Sequence, residues 1–195
     1  MSQTVYFSTS LLPQGNASVN QSNTYLKING LTSIAKRAKA AALSNSTSAA
    51  KGRPSFSADV HEAGINSTAL QMINGGTPYG PDHLLLVSTG RTLAMPPSVA
   101  LVSRKDPSKV TTLLNNAAGK QFNGFDDVSL HPKSGQIFFT DSLYGSRLGF
   151  RPENLTMPLS TWLFDPKTKS LKVVDTTAEV PNGVVISPDG KTCYM

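Results

Sequence analysis

The chain repeats itself, and that repeat restricts its fold more than any other feature. The stretch "DVSLHPKSGQIFF" (Asp127 to Phe139) returns as "GVVISPDGKTCYM" (Gly183 to Met195), with Pro132 and Pro188 56 residues apart. Each copy reads as an alternating apolar run, a Pro/Gly turn and an outgoing apolar run, the pattern of a β-hairpin. Between the copies, "STWLFDPKTKSLKVV" supplies another hairpin, turning on Asp165-Pro166-Lys167-Thr168. That makes about four strands per repeat, the unit of a β-propeller blade rather than of a sandwich or a closed barrel.

Other short β-type runs fit the same rhythm: Leu84 to Val87, Ser98 to Val102, Val110 to Leu114, Leu171 to Val174. Fifteen glycines and thirteen prolines provide the turns between them. Earlier in the chain, Thr4 to Ser8 and Tyr25 to Ile28 read as strands. Leu31 to Leu43 has helical spacing, with Thr32 or Ser33 able to cap it. Ser44 to Ser57 is low in apolar residues and reads as a loop, so residues 31–67 form an insertion within a single domain, 1–195. "VYFSTSLL" near the start resembles "IFFTDSLY" (Ile137 to Tyr144). The chain thus opens on the return strand of a hairpin and closes at the same point in a later repeat. The expectation is an all-β fragment of about half a propeller ring.

Composition removes several function classes. No apolar run approaches the ~20 residues of a membrane span. The net charge of +6 is dispersed, and its one cluster, Lys36, Arg37 and Lys39, has no interleaved aromatics, so nucleic acid is not an expected partner. A single cysteine, Cys193, excludes an internal disulfide framework and a multi-cysteine metal site. Five N-x-S/T sequons, at Asn16, Asn20, Asn45, Asn66 and Asn154, point to a secreted glycoprotein. Met1 runs almost directly into a strand without a signal peptide, so a cytoplasmic location is the alternative unless an N-terminal portion precedes this chain. Ser10, Ser88 and Ser142 have no G-x-S-x-G setting, and His61, His83 and His131 form no H-E-x-x-H set.

Chemistry concentrates at the repeated strand starts. Asp126 and Asp127 are adjacent acids, which either cap a turn through Asx hydrogen bonds or await a cation. Asn182 holds the equivalent slot one repeat later, where it serves as an oxygen ligand or as a left-handed turn residue before Gly183. His131 falls at a hairpin turn, and Asp141 follows a return strand where it suits a loop cap.

These segments carry a family resemblance. "NNAAGKQFNGFDDVSLHPKSGQIFFTDSLYG" (Asn115 to Gly145), "FRPEN" (Phe150 to Asn154) and "VPNGVVISPDGKTCYM" (Val180 to Met195) resemble the senescence-marker-protein/gluconolactonase/luciferin-regenerating-enzyme superfamily of six-bladed β-propellers, most closely its fungal lactonohydrolase-like branch. "VYFSTSLL", "NGGTPYG" and "AMPPSVALVSRKDP" agree more loosely. The resemblance implies a calcium-dependent lactone hydrolase with a divalent cation, usually Ca²⁺, in the central funnel. The family holds that ion with an N-terminal glutamate, two asparagines and a C-terminal aspartate. Its asparagine slots fall on Asp126 and Asn182, and Asp127 matches a supporting aspartate beside the ligand. Calcium's preference for six to eight hard oxygens suits such a ring. The glutamate and C-terminal aspartate slots have no counterpart here, since Glu62 in "HEAG" follows rather than precedes the "VYFSTS" strand. The general base has no assigned residue. Two other readings stay open: a non-catalytic propeller or pseudoenzyme that binds through its loops, and a strictosidine-synthase-like propeller.

Overall fold

The structure, a computed structural model, describes residues 5–8, 25–29, 35–36, 39–40, 59–66, 68–151 and 157–195. The sequons at Asn16, Asn20, Asn45 and Asn154, Ser10 and the loop 44–57 lie outside the described residues, as does most of the insertion 31–67. The chain divides into two compact units.

The smaller unit is an antiparallel sheet in the order β1(Val5–Ser8), β2(Tyr25–Asn29), β3(Asp59–Glu62). Val5 lies opposite Ile28, and Leu26 lies opposite Glu62. The first two strands match the sequence expectation. The third, "DVHE", is too short and polar to announce itself and exists through its pairing with β2. Residues 35–36 and 39–40 are helical, within the span read as a helix.

The larger unit carries the repeats. One antiparallel four-stranded sheet runs β4(Ile73–Tyr79), β5(His83–Ser88), β6(Ser98–Ser103), β7(Val110–Leu114), each strand beside the next. A small hairpin, β8(Asn116–Ala117) and β9(Lys120–Gln121), leads into a second such sheet. That sheet runs β10(Phe125–Leu130), β11(Ile137–Asp141), β12(Ser160–Phe164), β13(Leu171–Asp175), and a third begins with β14(Val185–Ile186) and β15(Cys193–Tyr194). Two four-stranded meanders and the first hairpin of another agree with the blade repeat read from the sequence.

Burial follows position in the blade. Five of the six residues of β5 are buried, as expected of a strand covered on both faces, whereas β13 exposes Val173 and Val174 at the sheet edge. The core lies between the two full sheets. Leu85, Val87 and Val99 come from one, and Phe125, Val128, Ile137, Phe139 and Phe164 from the other, with Phe122 from the connection. Phe122 is fully buried and stands 4.6 Å from Phe125 and 5.5 Å edge-on to Trp162, centroid to centroid. Such tilted and edge-to-face contacts add about 1 kcal/mol each to the burial of the rings.

β10 packs against β4 on one side and β14 on the other, so these are the inner strands of consecutive blades. Both full inner strands break register at one level. β4 jumps between Ile73, opposite Ser88, and Gly76, opposite Leu86; β10 jumps between Phe125, opposite Asp141, and Val128, opposite Phe139. Asn74-Gly75 and Asp126-Asp127 therefore occupy equivalent bulges, and β10 includes the acid pair instead of starting at Val128. β4 is invisible to composition because "INGGTPY" holds two glycines and a proline, residues that weaken strands.

The outer turns are tied together by a histidine. His131 Nδ1 accepts the Ser134 N–H at 3.1 Å, so Nε2 carries the proton and donates to the Gly190 carbonyl at 3.0 Å. Gly190 has φ +77°, and a Cβ there would sit 2.8 Å from the imidazole. His131 thus clamps the two equivalent hairpin turns of neighbouring blades and is structural.

Candidate metal centre

Asp127 uses its charge on the backbone. Its Oδ1 accepts the Val128 N–H at 2.8 Å and its Oδ2 accepts the Val184 N–H at 3.0 Å, one blade away. Its own N–H donates to Thr140 Oγ1 at 3.0 Å, and that fully buried hydroxyl donates to the Asn182 carbonyl at 2.6 Å. Asp127 and Thr140 together tie the bulge of β10 to the start of β14.

Asp126 is placed differently. It is only 9% exposed, and its Oδ1 accepts a 2.6 Å hydrogen bond from Asn74 Nδ2 across the contact between β10 and β4. Burial raises its pKa above the ordinary carboxylate value, the Asn74 hydrogen bond opposes that rise, and the Asp127 charge reinforces it. No cationic side chain pairs with Asp126 among the described residues. A buried carboxylate beside another acid is costly without a positive partner.

Asn182 is exposed, and its side-chain amide donates to the Tyr144 hydroxyl at 3.0 Å. Tyr144 opens the helical turn Tyr144–Arg147 that follows β11. Asn182 does not have a positive φ, so a left-handed turn is not what selects it. The structure thus brings Asp126 against Asn74, while Asn182 stands at the matching start one blade on, joined to β10 through Thr140. Glu62 lies on β3 of the other unit. Among the described residues, no three His, Cys, Asp or Glu side chains cluster as a metal site, so any ion here would depend on amide and backbone oxygens as well.

Asn74 and Tyr144 stand in segments that carry the resemblance but have no site role assigned from the sequence. A signal for Asn74 exists: "INGG" stands 52 residues before "FDDV", and its Asn-Gly recurs at Asn182-Gly183. Tyr144 lies inside the "DSLYG" segment of the resemblance but belongs to a turn that no helical periodicity marks.

Asp141 caps the loop beneath the site. It is fully buried and accepts the N–H groups of Asn123 and Gly124, each at 2.8 Å, and Asn123 Nδ2 at 2.9 Å. Burial pushes its pKa up to about 7, against those donors and the nearby Arg151 guanidinium. A carboxyl whose folded pKa lies above its ordinary value stabilises the fold most below that ordinary value. The stabilisation is then lost as pH rises through the folded value. Asp126 acts in the same direction. The exposed aspartates with lowered values, such as Asp165 and Asp189, oppose this only weakly because solvent screens them. Denaturant midpoints measured in chelator are therefore expected to fall between pH 4 and pH 7, and Asp141→Asn to flatten most of that slope. A rising midpoint in the wild-type chain over this range would contradict the assignment.

The sheets and their inner-strand contacts define a β-propeller, and solved structures agree. A gluconolactonase from Xanthomonas campestris superposes with a TM-score of 0.57 at 24% identity, over 69% of this chain and 42% of its own. A second structure, described as a putative gluconolactonase, gives 0.55 at 20% identity, over 68% of this chain and 43% of its own. The lactonohydrolase oryL of Aspergillus oryzae is 40% identical over 87 residues, which are 45% of this chain and 20% of that protein. No protein-family profile matches the chain. The chain shares its fold with these solved structures, is similar in part to the lactonohydrolase, and spans a fifth of the length of the curated relative and under half of each structure.

Proposed function

We propose that the chain serves a calcium-dependent lactone hydrolase of the gluconolactonase type, acting on a small-molecule lactone. The observation that carries this reading is the buried, cation-less carboxylate of Asp126 at an inner-strand bulge, with Asn182 at the equivalent start of the next blade. The names of the similar proteins, a lactonohydrolase and a gluconolactonase, support the reaction class.

The donor set fits a hard divalent ion: one carboxylate and an amide oxygen, with no thiol or imidazole among these residues. Asp126 and Asn182 would hold it. When bound, such an ion supplies Lewis acidity that polarises a lactone carbonyl and stabilises the developing oxyanion. The chain's own residues pre-organise the site. Asp127 and Thr140 fix the spacing of the two strand starts, and the Tyr144 hydroxyl restrains the amide plane of Asn182. Burial of Asp126 makes its carboxylate costly until a cation compensates it. The sequons favour a secreted product.

The test is lactone hydrolysis by the natural gene product with and without exhaustive chelation. Chelation is expected to abolish turnover, and Asn182→Ala to lower it by on the order of 100-fold or more, a few kcal/mol of lost transition-state stabilisation. Full activity in either case sinks the mechanism. A non-catalytic propeller is the second reading, favoured by the small number of acidic ligands among the described residues. It predicts cation-independent folding and no turnover of any lactone.

A further inference from the structure

We propose that Asn74 supplies a third oxygen to the cation, so that the site draws on three consecutive inner strands through Asn74, Asp126 and Asn182. This rests on the cation reading above. Asn74 and Asp126 occupy the same position in equivalent bulges of β4 and β10, and Asn182 holds that slot at the start of β14. Side chains at one level of successive inner strands converge on a common space, and for the first two of these the convergence is observed, with Asn74 Nδ2 2.6 Å from Asp126 Oδ1, while the Asn182 amide bonds the Tyr144 hydroxyl. An asparagine that places its nitrogen there brings its carbonyl oxygen to the same neighbourhood.

The residues following these three explain how the strands come so close. Gly75 follows Asn74 and Gly183 follows Asn182, while Asp127 follows Asp126. A Cβ on Gly75 would lie 2.3 Å from Asp127 Oδ1, and one on Gly183 would lie 3.8 Å from Asp127 Oδ2. The Asp127 carboxylate is thus pressed against Gly75 on one flanking blade, where a Cβ has no room, and is tied to the other by the Val184 N–H, while Gly183 would accept a Cβ at ordinary contact distance. Asn74 and Asn182 are both exposed, so solutes reach them, whereas Asp126 is buried. One carboxylate and two neutral amides provide hard oxygens without neutralising a divalent ion, which keeps its Lewis acidity.

The experiment measures ion binding directly, using Ca²⁺ titration calorimetry and Tb³⁺ luminescence lifetimes in H₂O and D₂O on the natural protein. Asn74→Ala is expected to weaken Ca²⁺ binding about tenfold or more and to add about one inner-sphere water to bound Tb³⁺. Asn74→Asp keeps the oxygen but removes the N–H that reaches Asp126, and it is expected to bind at least as tightly as wild type. If Asn74 serves only to hold Asp126 through that N–H, Asn74→Asp will bind no better than Asn74→Ala and the water count will stay constant. That result overturns the proposal and leaves the Asp126 and Asn182 reading standing. Absence of any ion binding in the wild-type protein removes both.

Discussion

Gly75→Ala is expected to be among the most damaging single substitutions in the larger unit, costing about 3 kcal/mol or more. A Cβ there would meet Asp127 Oδ1 at 2.3 Å, Asp127 Cα at 2.6 Å and the Asp126 carbonyl oxygen at 2.8 Å. Two of these three atoms belong to the backbone, so no rotamer change relieves the clash. The strands must separate or Asp127 must give up its bonds to the Val128 and Val184 N–H groups. For a domain of this size, 3 kcal/mol corresponds to roughly 6–12 °C in Tm. Gly80→Ala is the control: Gly80 has φ +63° but nothing within 4 Å of the missing Cβ, so only backbone strain of about 1 kcal/mol applies. Thermal melts of the two variants decide the matter. Equal, small losses would mean that β4 and β10 do not approach as closely as described.

Asp126→Asn is expected to separate stability from ion binding. In chelator at neutral pH the variant should be at least as stable as wild type, because it removes a buried charge whose pKa is raised by burial and by Asp127. Its carbonyl still accepts the Asn74 hydrogen bond. With Ca²⁺ at about a hundredfold its Kd, the wild-type protein should gain about 2.7 kcal/mol, while the variant gains only about 0.4 kcal/mol in the same solution. Loss of the formal charge should reduce affinity on the order of 100-fold, and lactone turnover should fall with it. Retention of the full wild-type Ca²⁺-dependent shift in Tm by this variant would remove Asp126 from the site.

Much of the architecture could be read from local pattern. Asp127 to Phe139 and Gly183 to Met195 are hairpins because alternation and a Pro/Gly turn are properties of a dozen consecutive residues. The Asp165 turn is equally local, its Oδ1 accepting the Lys167 and Thr168 N–H groups. β4 was illegible for the opposite reason. Its Gly75 weakens strand propensity, and it is there because a strand distant in sequence leaves no room for a side chain. The hairpin β8–β9 also escaped notice, with two residues per strand and a turn that places Ala118 at φ +49°.

The site divides along the same line. Sequence alone marked Asp126 and Asn182 as oxygen donors in equivalent slots, since a 56-residue repeat is visible without coordinates. Taken alone, an acid at a strand start reads as a turn cap, and only the blade repeat turns the reading of Asp126 towards a ligand. Tertiary structure decided that Asp126 is buried, that Asp127 spends both oxygens on the backbone, and that Asn74 is the side chain Asp126 meets. Strand periodicity and turn chemistry act within a few residues, so the chain carries them in its letters. Contact between positions 74 and 126 depends on how closely two blades pack, and that distance is set by a glycine facing a carboxylate across their boundary.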